Sequence, residues 1–288
     1  MKLKASAVLS VLAISVISLA PASVLACSYT LNDDFGRTYD FPWHFTNYED
    51  LNGQFNKTPG LECGVDACAK LERSYGDKFL RVSVNSTTTA GIYTNTDVSE
   101  VEIGTPTSIE SGVWNPTVGH PVELKAKVRW NSTYNIDGTG TAVGTSGVVL
   151  WNSAVNEYGP MPEYDQIGFI WTNARSFGGF LAGLTGSAAV NFNPLMPLRP
   201  SPSVNIHNWV HLKLLWSVDA SNVQSVEYFV NGTSIGTIVL PESLHNLSVE
   251  MWNDNQEPTF TETGLSIQYP APSENQTMDV DQISVRLK

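Results

Sequence analysis

Positive charge is scarce in this chain. Sixteen Lys and Arg stand against 28 Asp and Glu, a formal net charge of −12 over 288 residues. That excludes an overall basic nucleic-acid-binding surface, because phosphate recognition needs an excess of cations. Charge of either sign is low, at 15% of residues, which excludes a coiled coil and a disordered chain. Cysteine is rare too. Cys27, Cys63 and Cys68 are too few to build a disulfide miniprotein. No His-Glu-x-x-His helix or phosphate-binding glycine loop occurs, and the one Gly-x-Ser-x-Gly match, Gly232–Gly236, falls in a hairpin rather than at a strand-to-helix elbow, so serine-hydrolase, zinc-protease and nucleotide chemistry have no foothold. Arg175, Arg199 and Lys213 are too scattered to neutralise a uronate in a lyase. No apolar pattern of helical period runs for three turns.

What is present points outside the cytoplasm. Lys2 and Lys4 precede an almost uncharged apolar run from Ala5 to Ala20, and Pro21 breaks it. Small residues follow at Val24-Leu25-Ala26, so residues 1–26 read as a signal peptide and residues 27–288 as the mature chain. Val24-Leu25-Ala26-Cys27 also resembles a bacterial lipobox, which implies lipidation of Cys27; ordinary cleavage before a plain Cys27 is the other reading. Asn-x-Ser/Thr sequons begin at Asn85, Asn131, Asn231, Asn246 and Asn275. They are glycan acceptors in a eukaryotic secretory pathway and chance in a bacterial chain. Either way a secreted or cell-surface location is expected. Cys63 and Cys68 are expected to close a short disulfide loop, worth about 2 kcal/mol.

The mature chain reads as strands. Phe79–Val84, Val122–Trp130 and Trp209–Ser217 alternate apolar and polar residues. Gly147–Trp151 and Asp165–Trp171 are buried-type runs. Val226–Val230 and Ser234–Leu240 flank Asn231-Gly232, a type I′ hairpin signal. Leu247–Trp252 and Met278–Leu287 complete the set. Four prolines mark a loop from Asn191 to Asn205. No linker or repeat divides the chain, so one all-β domain of two packed antiparallel sheets is expected.

The order of these segments resembles glycoside hydrolase family 16, within the concanavalin A-like lectin/glucanase superfamily. Asn32-Asp33-Asp34-Phe35 looks like its opening strand. Val122–Trp130, Gly147–Asn152, Trp209–Trp216, the Asn231-Gly232 hairpin and Met278–Val285 look like its later strands. The resemblance implies a β-sandwich jelly roll that engages a polysaccharide on its concave face. It also implies a catalytic strand at Pro162–Phe169, where the family sets three acids in a Glu-x-Asp-x-Glu or bulged pattern. Glu163 matches the nucleophile and Asp165 its helper, but the third place is Ile167 or Gly168. Neither carries a proton, and a retaining glycosidase needs two carboxyls. Glu250, with Asp254 as the alternative, is the expected substitute acid; His207 or His211 could also serve. The expected function is therefore exported carbohydrate binding, with a divergent hydrolase or a non-catalytic cell-surface module as alternatives.

Sugar rings stack on aromatic faces while their hydroxyls bond amides and acids. Trp171 and Trp252 have polar neighbours and are the expected platform, with Asn253, Asp254 and His207 beside it. Trp130, Trp151 and Trp216 end apolar runs and are expected in the core. Asp33, Asp34, Asp279 and Asp281 come together if the first and last strands pair. A structural calcium is the one cofactor to consider, held by Asp34, Asp279 and Asp281. A monomer is expected, touching a membrane only through a lipid on Cys27.

Overall fold

The computed structural model describes residues 30–35, 43–50, 66–74, 77–86, 88, 90–91, 93–100, 114–131, 144–153, 164–174, 178–186, 199–261, 264–272 and 274–288. Every element among them is a β-strand. Two antiparallel sheets stack face to face, the two packed sheets expected from the alternation and the jelly-roll sandwich that the resemblance implies.

The eight-stranded sheet is built from β1 (Thr30–Asp33), β3 (Ala67–Ser74), β4 (Asp77–Val84), β6 (Val122–Trp130), β11 (Val210–Val218), β12 (Gln224–Val230), β13 (Thr233–Val239) and β17 (Gln276–Leu287). Its order is β13-β12-β11-β6-β17-β4-β3, with β1 paired to β17 beside this path. The first and last strands do meet, Asp33 opposite Ile283. The seven-stranded sheet runs β10-β9-β8-β7-β14-β5-β2. Its strands are β2 (His44–Asp50), β5 (Tyr93–Ser99), β7 (Gly144–Ser153), β8 (Tyr164–Ala174), β9 (Gly178–Gly186), β10 (Arg199–Pro200) and β14 (Ser248–Asp254). A small hairpin, β15 (Glu257–Thr261) and β16 (Gly264–Gln268), follows β14. The predicted loop at Asn191–Asn205 thus contains a two-residue edge strand, β10; residues 191–198 lie outside the described set.

Alternation decides which residues face inward. β6 sends Val122, Leu124, Val128 and Trp130 into the core, and β11 sends Leu212, Leu214 and Trp216. Val148 and Leu150 of β7, Phe169 and Trp171 of β8, and Val249 and Met251 of β14 meet them from the other sheet. Buried aromatic polar atoms are paired, as burial requires. The Trp130 indole donates to Ser146 Oγ at 2.7 Å, the Trp216 indole to Gln224 Oε1 at 3.0 Å, and the Tyr228 hydroxyl to the Leu184 carbonyl at 2.7 Å. The Tyr228 ring stands edge-on to Phe169, centroids 5.5 Å apart, and lies over Gly183, where a Cβ would come within 2.6 Å of the ring. At the hairpin Asn231 and Gly232 take φ of +50° and +80°, as a type I′ turn requires.

Candidate functional site on the outer face of the seven-stranded sheet

The inward row of each strand fixes its outward row. On β14 the inward residues are Val249 and Met251, so Glu250, Trp252 and Asp254 share the outer face. Cross-strand register then places their neighbours. Trp252 lies between Asp97 of β5 and Gly147 of β7; Glu250 lies between Ser99 and Val149; Asp254 lies between Asn95 and Thr145. One row along, Trp151 sits between Ser248 and Gln166.

Trp252 is held flat on the sheet. Its six-membered ring covers Gly147, where a Cβ would come within 2.5 Å of Cη2. Its indole donates to Thr145 Oγ1 at 3.2 Å. The glycine is what lets the ring lie so close to the backbone. The side chain is half-buried, and Trp151 is half-exposed on the same face. Gly147→Ala is expected to push the Trp252 ring outward and, because the new Cβ would also come within 2.1 Å of the Phe169 carbonyl oxygen, to lower stability, seen as a red-shifted tryptophan emission together with a reduced unfolding midpoint.

Three carboxyls surround this ring. Asp97, Glu250 and Asp254 are 3%, 8% and 2% exposed. The Asn95 amide donates to both oxygens of Asp97 at 2.8 Å. Asp97 and Glu250 lie within hydrogen-bonding reach of each other. Asp254 Oδ1 accepts from Thr145 Oγ1 at 2.8 Å, Thr145 N at 3.1 Å and Gln256 N at 2.9 Å. No ion pair reaches any of the three among the described residues. Glu250 Oε2 and Asn95 Oδ1 find no hydrogen-bond partner there either. Burial pushes Asp97 and Asp254 up to about 7, against the hydrogen bonds they accept. Burial also raises Glu250 well above the usual carboxylate range, and the charges of Asp97 and Asp254 add to it. Proton sharing between Asp97 and Glu250 follows from that proximity.

Of the residues expected from sequence, Glu250, Asp254 and Trp252 come together here. Asp97 is the member that sequence reading missed. Its signal is the alternation of Asn95, Asp97 and Ser99 within Tyr93–Ser99, which reads as a polar loop because Thr94 and Thr96 fill two of the other positions. Trp171 is not on the platform: it is 5% exposed, in the core, with its ring 6.0 Å from that of Trp130. Trp151, expected in the core, takes the outward place instead. Asn253 also turns inward, and its amide joins the two sheets by donating to the Val82 and Gln276 carbonyls. His207 is exposed at the end of β6, its Nδ1 3.0 Å from the Trp130 carbonyl.

Glu163 lies outside the described residues. Asp165 is described for its backbone alone, paired with Asn152. Neither candidate for the third acid position offers room for one. Ile167 is fully buried and faces the core. At Gly168 a Cβ would come within 2.3 Å of the Val148 carbonyl oxygen. Gly168 nevertheless shares its transverse row with Val149 and Glu250.

Two of the three acids expected to hold a calcium pair with cations in the structure. Both Asp279 oxygens are occupied by guanidinium groups: Arg81 donates at 2.7 and 2.9 Å and Arg129 at 2.9 Å. Asp281 pairs with Lys127, and Asp34 is exposed. Cations already occupy the place where a metal would sit, and no group of three His, Cys, Asp or Glu among the described residues could hold one. Asp33 is spent on the Phe35 amide and the Trp43 indole, both at 2.7 Å. Cys68 is buried and disulfide-bonded; Cys63, its expected partner, and Cys27 lie outside the described residues.

No family model and no curated protein matches the sequence. Solved structures do match the fold. One belongs to a study of endo-acting O-glycanases, expressed by prominent members of the human gut microbiota to initiate mucin breakdown. It has 10% identity and a TM-score of 0.50, and the match covers 89% of this chain and 97% of that one. The carbohydrate recognition domain of Emp47p gives 10% identity and a TM-score of 0.50, covering 93% of this chain and 98% of that one. The GlcNAcα1-4Gal-releasing endo-β-galactosidase of Clostridium perfringens also gives 10% and 0.50, with 89% of this chain and 62% of that one covered. The fold is a concanavalin A-like β-sandwich jelly roll of two antiparallel sheets. At this identity the likeness extends to the fold alone. Within this sandwich, the half-buried Trp252 and the acids around it lie on the outer face of the seven-stranded sheet.

Proposed function

We propose that this protein is an exported glycan-binding protein that takes a neutral polysaccharide on the outer face of its seven-stranded sheet. The observation that carries the reading is Trp252, laid flat on Gly147, pinned through its indole and still partly open to solvent. A rigid aromatic plane loses little entropy when a sugar ring stacks on it. Trp151 and Gln166 extend the same surface. No Lys or Arg side chain is described on this face, which disfavours uronic and sulfated chains there. The carbohydrate roles of the fold neighbours agree with this reading, as does the signal-peptide-like pattern of residues 1–26.

One observation favours a second reading, divergent hydrolysis related to glycoside hydrolase family 16. Burial raises both Asp97 and Glu250, which lie within hydrogen-bonding reach of each other, above the usual carboxylate range, the direction a general acid needs. They stand closer than the roughly 5–5.5 Å of a retaining pair, so they would act as one acid, and the opposing carboxyl would come from elsewhere.

The test is affinity electrophoresis of residues 27–288 through gels carrying neutral polysaccharides, beside a reducing-end release assay on each one that retards the protein. Retardation is expected for wild type, with at least a tenfold affinity loss in Trp252→Ala and a smaller one in Trp151→Ala. Equal retardation of wild type and Trp252→Ala would overturn the site. Release that is lost in Glu250→Gln would establish the hydrolytic reading; binding without release would establish the lectin-like one.

A further inference from the structure

The outer face of the eight-stranded sheet differs from the glycan face in its cations. Among the described side chains of its strands, the outward rows carry seven Lys and Arg (Lys70, Arg81, Lys125, Lys127, Arg129, Lys213 and Arg286) against five Asp and Glu (Glu72, Glu123, Glu227, Asp279 and Asp281). That is a local surplus of positive charge in a chain of net −12. The outward row of the seven-stranded sheet has no cation among its described side chains, and its three acids are buried.

The surplus is concentrated where β6 meets β11. Lys125 stands directly opposite Lys213, and Lys127 directly opposite His211. Like charges at directly opposed positions destabilise a sheet, so the Lys125–Lys213 pairing works against the fold. The local acids are shared or spoken for. Glu123 serves Lys125, Arg286 and Lys288, Asp279 serves Arg81 and Arg129, and Asp281 and Glu72 pair with Lys127 and Lys70. Among the described residues Lys213 pairs with no acid; its ammonium sits 3.5 Å from the centre of the Phe229 ring. Farther along, Trp209 lies under Arg129 and Lys127, at 4.5 and 5.2 Å. Aromatic rings thus hold these cations in place at an exposed surface.

We propose that this face is a second binding surface, for an acidic polysaccharide. Lys125, Lys127 and Arg129 form a single file down β6, about 6.8 Å apart at two residues per step. A linear polymer with one carboxylate or sulfate per sugar matches a file of cations, and its apolar ring faces match Phe229 and Trp209. The protein would then hold a neutral chain on one side and an acidic chain on the other. The proposal is independent of the Trp252 site.

The experiment is retention of residues 27–288 by immobilised polygalacturonate, alginate and heparin at low and high salt, beside sedimentation with anionic phosphatidylglycerol vesicles. Wild type is expected to bind at least one acidic polysaccharide at low salt and to elute as salt rises. Lys125→Glu/Lys213→Glu should weaken that binding at least tenfold while keeping the strand signal in circular dichroism, and Lys125→Arg/Lys213→Arg should retain it. Trp252→Ala should leave it unchanged. No retention by any of the three polymers overturns the proposal, as does retention that survives the charge reversal. Binding to vesicles without binding to the polymers also overturns it.

Discussion

Asp279→Ala is expected to cost about 3–5 kcal/mol of folding stability, the range for breaking a buried ion pair. Asp279 has no solvent exposure. It sits on β17 between β4 and β6, and each neighbour supplies an arginine, Arg81 opposite it on one side and Arg129 on the other. The two guanidinium side chains are 24% and 22% exposed and both stack beside Phe79, at 5.3 and 5.1 Å. Removing the carboxylate leaves two cations facing each other across one strand, partly desolvated and without a counter-charge. Replacing all three residues by apolar ones of similar size should cost far less, because no orphaned charge remains. Urea unfolding of both variants measures the difference. A loss below 1 kcal/mol in Asp279→Ala would mean that water reaches the arginines and that Asp279 is not the tie between these strands.

The same residue shows where sequence reading stops. Met278–Leu287 was legible as a closing strand from its alternation, and Val122–Trp130 coincides with β6 to the residue. The Asn231-Gly232 hairpin was legible because only a turn with positive φ suits that pair. The partners of Asp279 were not legible. Arg81 is 198 positions away and Arg129 is 150, and only strand order brings them together. Acids near both termini therefore suggested a metal, when the strands between them supply the cations. The tryptophans failed for a different reason. Gly147–Trp151 is apolar at both parities, so the run fixes the strand but not which row faces the core. That ambiguity hid the outward place of Trp151, whereas Trp171 was misplaced by its polar neighbours Thr172 and Asn173, although it shares its row with the inward Ile167 and Phe169. On β14 the apolar Val249 and Met251 alternate with Glu250, Trp252 and Asp254, and there the outward row could be read directly. β5 was not read as a strand at all, which hid Asp97 and with it the pairing that raises Glu250.

The buried acids make stability depend on pH in a direction opposite to that of an ordinary salt-bridged protein. Asp97 and Asp254 bind their protons with values near 7 in the fold, whereas an unfolded Asp titrates at about 3.9. Between those limits the folded chain holds more protons than the unfolded one, so stability falls as pH rises. The contribution is complete below about pH 4 and is lost as pH passes through 7, at about 1.4 kcal/mol per pH unit for each group. Glu250, raised in the same direction, adds to the slope. Glu123 sets the acid limit. Burial raises its value, but its bonds to Lys288, Lys125 and Arg286 win and hold it at about 2; its contribution is present above about pH 4.3 and disappears as pH falls towards 2. Denaturant unfolding between pH 3 and 9 should therefore show a maximum near pH 4–5 and a steep decline towards pH 8. Asp97→Asn and Glu250→Gln keep shape and remove the ionisation, so each should flatten that decline and be more stable than wild type at pH 8. A wild-type stability that is level from pH 5 to 8 would mean that these carboxyls ionise freely, with water or a cation reaching the face beneath Trp252. The proton shared by Asp97 and Glu250 would then be absent, and with it the general acid that hydrolysis requires.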